Sequence, residues 1–327
     1  MPTENQDVFR QQLLERRQRL EAAMPRLEDR SEAVRLLKEV DGALERMDNG
    51  YFGVCEVCHG EIESERLAAD PIVHVCLDCL SAQQQRAIEY DLELAARIQT
   101  AFLPRNDLQA FGWECHYHYE PAGPVSGDYC DLIESQRGPG QLHFALGDVS
   151  GKGLAASMLV SHLHALIHSL AALEFSVVEL AAQTNRLLCQ STMTSHYATL
   201  VYGQAGRSGS VEICNAGHVP PLLISRGDVL PLHATGLPVG LFCDGRFSVH
   251  RVTLSPGDTL LLYSDGLSEA FRDGQEYGLE RVAQLASRHA DASPKAVVDA
   301  CLADLRAFLA GAPPSDDLTL LALRRIE

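Results

Sequence analysis

Six aspartates in four short strings are the residues best placed to do chemistry in this sequence. They are Asp128 and Asp131 in SGDYCD, Asp148 in LGDVSG, Asp265 in LLLYSDGLSEA, and Asp316 with Asp317 in PPSDDLTLLAL. Each stands at the start or end of an apolar, strand-like run, and the first three strings set glycine beside the carboxylate. A strand end holds a side chain rigidly, and glycine lets a ligand approach the backbone. Any one of these aspartates alone reads as a turn former. Together they form a concentration of negative charge that repels itself unless cations neutralise it, and hard oxygen donors in this number suit Mg²⁺ or Mn²⁺, two ions rather than one. Phe144 to Val160 shows the pattern most clearly: a strand delivers Asp148 onto the turn Ser150-Gly151-Lys152-Gly153, which opens at once into a long helix.

A second chemistry is carried by sulfur. Cys55 and Cys58 form one CxxC unit, Cys76 and Cys79 another, and seventeen residues lie between them. Each CxxC loop folds back tightly enough to supply two thiolates, so the four cysteines predict one tetrahedral, structural Zn²⁺ site. His59 and His74 are then left as packing or surface residues. His164 and His168 fall one turn apart in a helical stretch, but no HExxH pattern accompanies them and they read as carrying no metal.

The elements that must position these groups divide the chain into four parts. Residues 1–50 predict a helical hairpin, with helices over Asp7 to Leu20 and Ser31 to Asp48 joined by a turn around Pro25, and with Leu13, Leu20, Leu27, Val34, Leu37 and Leu44 as the packing stripe. A single kinked helix is the alternative. Residues 51–80 form the zinc module. Residues 81–104 predict a linker helix, capped by Ser81 and stopped by Pro104, with Ile88, Leu92, Ala95, Ile98 or Gln99, and Phe102 on one face. Residues 105–327 alternate short strands (Glu114 to Tyr119, Leu142 to Leu146, Thr199 to Tyr202, Val211 to Cys214, Thr259 to Tyr263) with helices (Leu154 to Ala172, Val177 to Cys189, Glu280 to His289, Pro294 to Leu309). Arg226-Gly227-Asp228 marks a hairpin, and the class is α+β, with two packed sheets flanked by helices.

The balance of charge narrows the partners. A net charge of -17 argues against direct capture of nucleic acid or an anionic membrane, which demands clustered lysine and arginine. The polar start MPTENQDVFRQQ is unlike a signal peptide, no apolar run is expected to reach membrane-spanning length, and paired cysteines suit a reducing compartment, so a cytoplasmic location is expected.

Two resemblances follow from these strings. Ala43 to Cys79 resembles the DksA/TraR zinc-finger family through Gly50, Tyr51, Ile62, Arg66 and Leu67 around the CxxC units. That likeness implies RNA polymerase as a partner, although the hairpin turn offers Glu28, Asp29 and Glu32 in place of the family's acidic pair with its alanine. The ordered strings GDYCD, GDVSGKG, NAGHVPPLL, TGLPVGL, LLLYSDGLSEA and SDDLTLLAL resemble the PPM-type metal-dependent serine/threonine phosphatases of the SpoIIE/RsbU branch, and LELAARIQTAFLP resembles the helix preceding that domain. This resemblance implies an α-β-β-α sandwich with two Mn²⁺ or Mg²⁺ ions held by Asp128, Asp148, the Val149 carbonyl, Asp265 and Asp316, with Asp148 bridging, Asp131 in a supporting position and Asp317 where the wider family often has asparagine. It also implies a phosphorylated STAS-type anti-sigma-factor antagonist as substrate, with control through the N-terminal module; the apolar stripe of the linker helix itself suits either packing on the next domain or pairing with its twin in a homodimer. The rival reading is a polymerase-binding regulator whose C-terminal domain is a phospho-dependent dock. A third makes the zinc module a redox or zinc sensor.

Overall fold

A computed structural model describes residues 3–24, 30–80, 82–135, 140–173, 175–191 and 196–327. The chain divides into two compact units, Met1–Leu92 and Glu93–Glu327.

In the first unit, α1 (Thr3–Ala23) and α2 (Ser31–Asp48) pack on each other, α3 (Ser64–Ala69) follows the first CxxC, and a 3₁₀ turn (Leu77–Cys79) holds the last cysteine. Two helices form and pack where composition predicts them, while the turn around Pro25, with Leu27 of the predicted stripe, and the Ser81 cap lie outside the described residues. The packing stripe is only partly the predicted one. Phe9, Leu13, Ala33, Val40, Ala43 and Leu44 are buried, whereas Val34 is exposed. Phe52, Ile62 and Leu67 complete this core by covering Cys55 and Cys76.

A single helix, α4 (Ala82–Phe102), leads into the second unit. Its predicted face is resolved at the ambiguous position: Gln99 is buried and Ile98 is exposed. The second unit then continues through β1 (Gln109–Ala110), β2 (Trp113–Glu120), β3 (Asp128–Ser135), β4 (Gln141–Val149), α5 (Gly153–Ala171), α6 (Val177–Ser191), β5 (Ala198–Gly206), β6 (Ser210–Ala216), β7 (Leu222–Ser225), β8 (Asp228–Pro231), β9 (His250–Thr253), β10 (Thr259–Tyr263), the short α7 (Asp265–Ser268), the small hairpin β11 (Phe271–Arg272) and β12 (Gln275–Glu276), α8 (Leu279–Arg288), α9 (Pro294–Leu309) and β13 (Leu318–Arg325).

Two antiparallel sheets result, one ordered β1-β2-β13-β10-β7-β8 and the other β3-β4-β5-β6-β9. Side-chain alternation explains the layers. Leu142, Phe144 and Leu146 of β4 meet Leu260, Leu262, Leu321 and Leu323 of the opposite sheet, while the intervening Leu261 and Tyr263 turn outward onto α8 and α9. Ala145, Leu200 and Tyr202 turn outward onto α5 and α6. The unit is thus a helix-sheet-sheet-helix sandwich. The predicted hairpin is present, with Arg226 (φ 52°) and Gly227 (φ 89°) both left-handed between β7 and β8, the twist that a two-residue hairpin turn favours. One expectation is corrected: α5, with a mean hydropathy of 1.4 over its best window, is long and apolar enough by length and composition to cross a membrane. Its Val160, Leu163 and Ile167 are buried on the sheet, which accounts for that hydropathy.

Candidate active site

The sheets bring four of the predicted aspartates together at one end of the sandwich. Asp128 opens β3 and Asp148 lies directly across from it near the end of β4, so two carboxylates face each other on paired strands. Like charges at opposed positions destabilise a sheet. Alternation from Cys130, Leu132, Leu142, Phe144 and Leu146 places both on the face that looks toward the second sheet. From that second sheet, Thr319 Oγ1 donates to Asp128 Oδ2 at 2.5 Å. Asp265 begins α7 just after β10, and Asp316 just precedes β13, the strand paired with β10.

The electrostatics record this convergence. Burial pushes the Asp128 carboxyl well above the usual carboxylate range, and the neighbouring Asp148 charge adds to it. Burial also pushes Asp148 up to about 7, helped by Asp265, Asp316 and Asp317 and opposed by Lys152. Asp265 is raised by burial and by Asp316. Such a set fits divalent cations, which are the simplest means of balancing it.

Two glycines make the geometry possible. A Cβ on Gly266 would come within 2.0 Å of the Asp317 carbonyl oxygen, so only glycine lets the first turn of α7 seat against the Asp316-Asp317 segment. A Cβ on Gly127 would stand 3.2 Å from the Val149 carbonyl oxygen and 3.3 Å from Asp148 Oδ1, crowding the same corner.

Asp317 and Asp131 take different places, and Lys152 and His218 lie nearby. Asp317 accepts backbone N–H bonds on both oxygens, from Ala122 and from Gly127, each at 2.7 Å, and so anchors the loop that leads into Asp128. Asp131 does not join the cluster. It lies three residues from Asp128 and therefore on the opposite face of β3, where it meets His168 and the Tyr129 hydroxyl. Lys152 Nζ reaches Asp316 Oδ2 at 3.1 Å from the start of α5. His218 is buried with both ring nitrogens engaged. Nε2–H donates to the Tyr263 carbonyl at 3.1 Å, and Nδ1 accepts from Thr199 Oγ1 at 2.7 Å, a tautomer fixed by the carbonyl's inability to donate. Burial lowers this imidazole to about 4. It therefore bolts β10 of one sheet to β5 of the other. Sequence reasoning passed over Ser126, whose backbone N–H and C=O are both bonded by the Gln99 amide at 3.0 and 2.8 Å. The buried polar residue in an otherwise apolar helix face was the available signal.

The four cysteines of the first unit also come together. All four Sγ atoms lie within 4.8 Å of one another, and Cys58 and Cys76 are 3.6 Å apart. The backbone N–H groups of Cys58, Cys76 and Val57 point at Cys55 Sγ, the last two at 3.3 and 3.4 Å, and lower that thiol to about 6. Neighbouring thiols raise Cys79 to about 12. A closed cage of four soft donors with backbone support fits a structural Zn²⁺ ion.

Residues 138–326 match the family model described as Stage II sporulation protein E (SpoIIE), and residues 50–85 match the prokaryotic dksA/traR C4-type zinc finger. Among curated relatives, Protein IcfG of Synechocystis is 27% identical over 72% of this chain and 41% of its own length. Phosphoserine phosphatase RsbU of Bacillus subtilis is 26% identical over 74% of this chain and 72% of its own. The solved RsbU and RsbW domains of Rv1364c from Mycobacterium tuberculosis superpose with a TM-score of 0.57 at 29% identity, over 68% of this chain and 62% of that one. The chain thus spans less than two thirds of some of its relatives. With the family model covering more than half of it and the sandwich and aspartate cluster in place, the chain belongs to the SpoIIE family, joining a PP2C-type phosphatase domain to an N-terminal DksA/TraR-type C4 zinc finger.

Proposed function

We propose that this protein is a cytoplasmic phosphoprotein phosphatase, dependent on Mn²⁺ or Mg²⁺, that hydrolyses phosphoserine or phosphothreonine on a STAS-type anti-sigma-factor antagonist. The observation that carries this reading is the convergence of Asp128, Asp148, Asp265 and Asp316 from both sheets into mutual repulsion. These side chains, with the Val149 carbonyl, are the groups that would hold two cations. When bound, such ions neutralise the cluster, lower the pKa of water toward neutrality and stabilise in-line displacement at phosphorus. The chain's own residues do the positioning. Asp317 fixes the loop before Asp128, and the side chain of Lys152, more than half exposed, sets a positive charge at the rim where a phosphate arrives. His218 is spent on holding the sheets, so the proton for the departing serine or threonine oxygen comes from solvent.

We place regulation in the zinc module and α4. An exposed apolar stripe, Tyr90, Leu94 and Ile98 at helical spacing, suits pairing with the same helix of a second copy. Neither direct nucleic-acid binding nor membrane association belongs to this reading. The purified chain should hydrolyse a phosphorylated antagonist only with added Mn²⁺ or Mg²⁺, and Asp148→Ala should abolish turnover while leaving the circular dichroism unchanged. Full turnover in that variant refutes the assignment. The dksA/traR match over residues 50–85 favours a second reading, a regulator that binds RNA polymerase and uses its C-terminal domain as a phospho-dependent dock. Co-purification with polymerase and no turnover of any phosphoprotein would select it.

A further inference from the structure

The proposed phosphatase chemistry uses nothing on the α5 side of β3, yet a separate set of donors gathers there. His164 and His168 project from successive turns of α5, their ring centroids 4.2 Å apart. Asp131, with a side chain only 4% exposed, points at both, with Oδ2 2.6 Å from His168 Nε2 and 3.5 Å from His164 Nδ1. One donor atom from each residue lies within 4.8 Å of the others. Phe102 stacks on His164 at 4.5 Å and Tyr129 meets it edge-on, which fixes the ring. Its Nδ1 is buried and, at 3.5 Å from Asp131 Oδ2, makes no well-formed hydrogen bond. A polar atom left in that state costs free energy unless something satisfies it.

We propose that Asp131, His164 and His168 form a third metal site, taking one divalent transition-metal ion of the Zn²⁺ type, distinct from the aspartate cluster and from the four cysteines. Two imidazoles and a carboxylate are donors for such an ion, and three protein ligands leave a fourth position for water. In a tetrahedral site with bonds of about 2.0–2.1 Å, donor atoms stand about 3.3 Å apart. The His164 to Asp131 separation already has that value within 0.2 Å or so. His168, whose side chain is 44% exposed, has room to open its 2.6 Å contact to match. The outer donors are also in place: the Tyr129 hydroxyl bonds Asp131 Oδ2 and the Leu132 N–H bonds Oδ1, both at 2.8 Å. An ion held by these three residues would tie α5 to β3.

The test is a calorimetric Zn²⁺ titration of the full chain, purified with its cysteine site loaded and held in saturating Mg²⁺. One further equivalent is expected for the native sequence, and His168→Ala, a half-exposed position that leaves folding intact, should weaken it at least 100-fold. Absence of a further equivalent, or its persistence in His168→Ala, overturns the proposal; persistence there with loss in Asp148→Asn reassigns the ion to the aspartate cluster. A measurement without substitution accompanies it: Zn²⁺ should protect His164 and His168 from diethylpyrocarbonate, as read by peptide mass spectrometry, and equal labelling with and without Zn²⁺ overturns the site.

Discussion

Replacing Gly266 with alanine tests whether the seating of α7 against the Asp316-Asp317 segment controls the site. The added Cβ would lie 2.0 Å from the Asp317 carbonyl oxygen and 2.9 Å from its carbon, so the segments must part by about 1.4 Å to reach the 3.4 Å of ordinary contact. Both obstructing atoms are backbone, so no side chain can swing aside. Overpacking of this kind costs about 1–3 kcal/mol. In a unit of this size that lowers Tm by roughly 2–12 °C, at about 2–4 °C per kcal/mol. The movement separates Asp265 from Asp316, and a displacement near 1 Å in a catalytic constellation is worth about 100-fold in rate. Turnover of a small phosphate ester under saturating Mn²⁺, measured beside thermal unfolding, should show that loss in a folded protein. Gly42, in mid-helix with its nearest neighbour the flexible end of Arg46 at 3.5 Å, is the control. Alanine there should leave turnover unchanged and add about 0.5–1 kcal/mol of stability. Full activity and unchanged Tm in Gly266→Ala would refute the close-approach argument.

Three further outcomes are expected. Asp148 is raised to about 7 in the fold, chiefly by burial, so the cation-free protein binds its proton more tightly folded than unfolded; the stability this one group contributes is full below about pH 4 and is lost as pH rises through 7. Asp148→Asn should flatten that fall and raise the Tm of divalent-free protein at pH 8, by up to about 4 kcal/mol in stability, and an unaltered pH slope would contradict the burial argument. Gln99→Ala leaves the buried N–H and C=O of Ser126 unpaired, at about 1–3 kcal/mol each, and Gln99→Glu, which at neutral pH buries a carboxylate against the Ser126 carbonyl oxygen, should destabilise at least as much; a native-like midpoint in denaturant unfolding for either variant would contradict the pairing. Cys55→Ser should release the bound zinc and melt part of the α1–α2 core, seen as lost zinc on elemental analysis and lost far-ultraviolet ellipticity; retention of both would show that the cysteine cage does not hold the module together.

Much of this architecture is legible because strand and helix periods differ. The β4, β5, β6 and β10 runs and helices α5, α6, α8 and α9 follow directly from alternation and from helical composition. Asp148, Asp265 and Asp316 stand out because each interrupts an apolar run beside a turn. What escapes is whatever depends on the third dimension. Asp128 and Asp131 share one string, yet strand parity sends the first to the gap between sheets and the second to α5. The pair His164 and His168 carries little meaning in sequence because its third donor lies 33 residues earlier, on another element. Asp317 looks like its neighbour until its two backbone donors, one of them 195 residues away in sequence, are known. Val34 fits a seven-residue spacing but sits on the solvent side, since hydrophobic identity alone does not fix helix rotation.

The amide of Gln99 also makes helical phase a readable quantity. Around α4, neighbouring side chains are about 100° apart, so a turn by one residue would present Ile98 or Thr100 to Ser126. Isoleucine has no polar atom, and a threonine hydroxyl cannot match both backbone groups with the spacing of a carboxamide. Intermediate rotations satisfy neither donor nor acceptor. The carboxamide thereby holds α4 in the one phase that pairs both backbone groups of Ser126, two residues before Asp128.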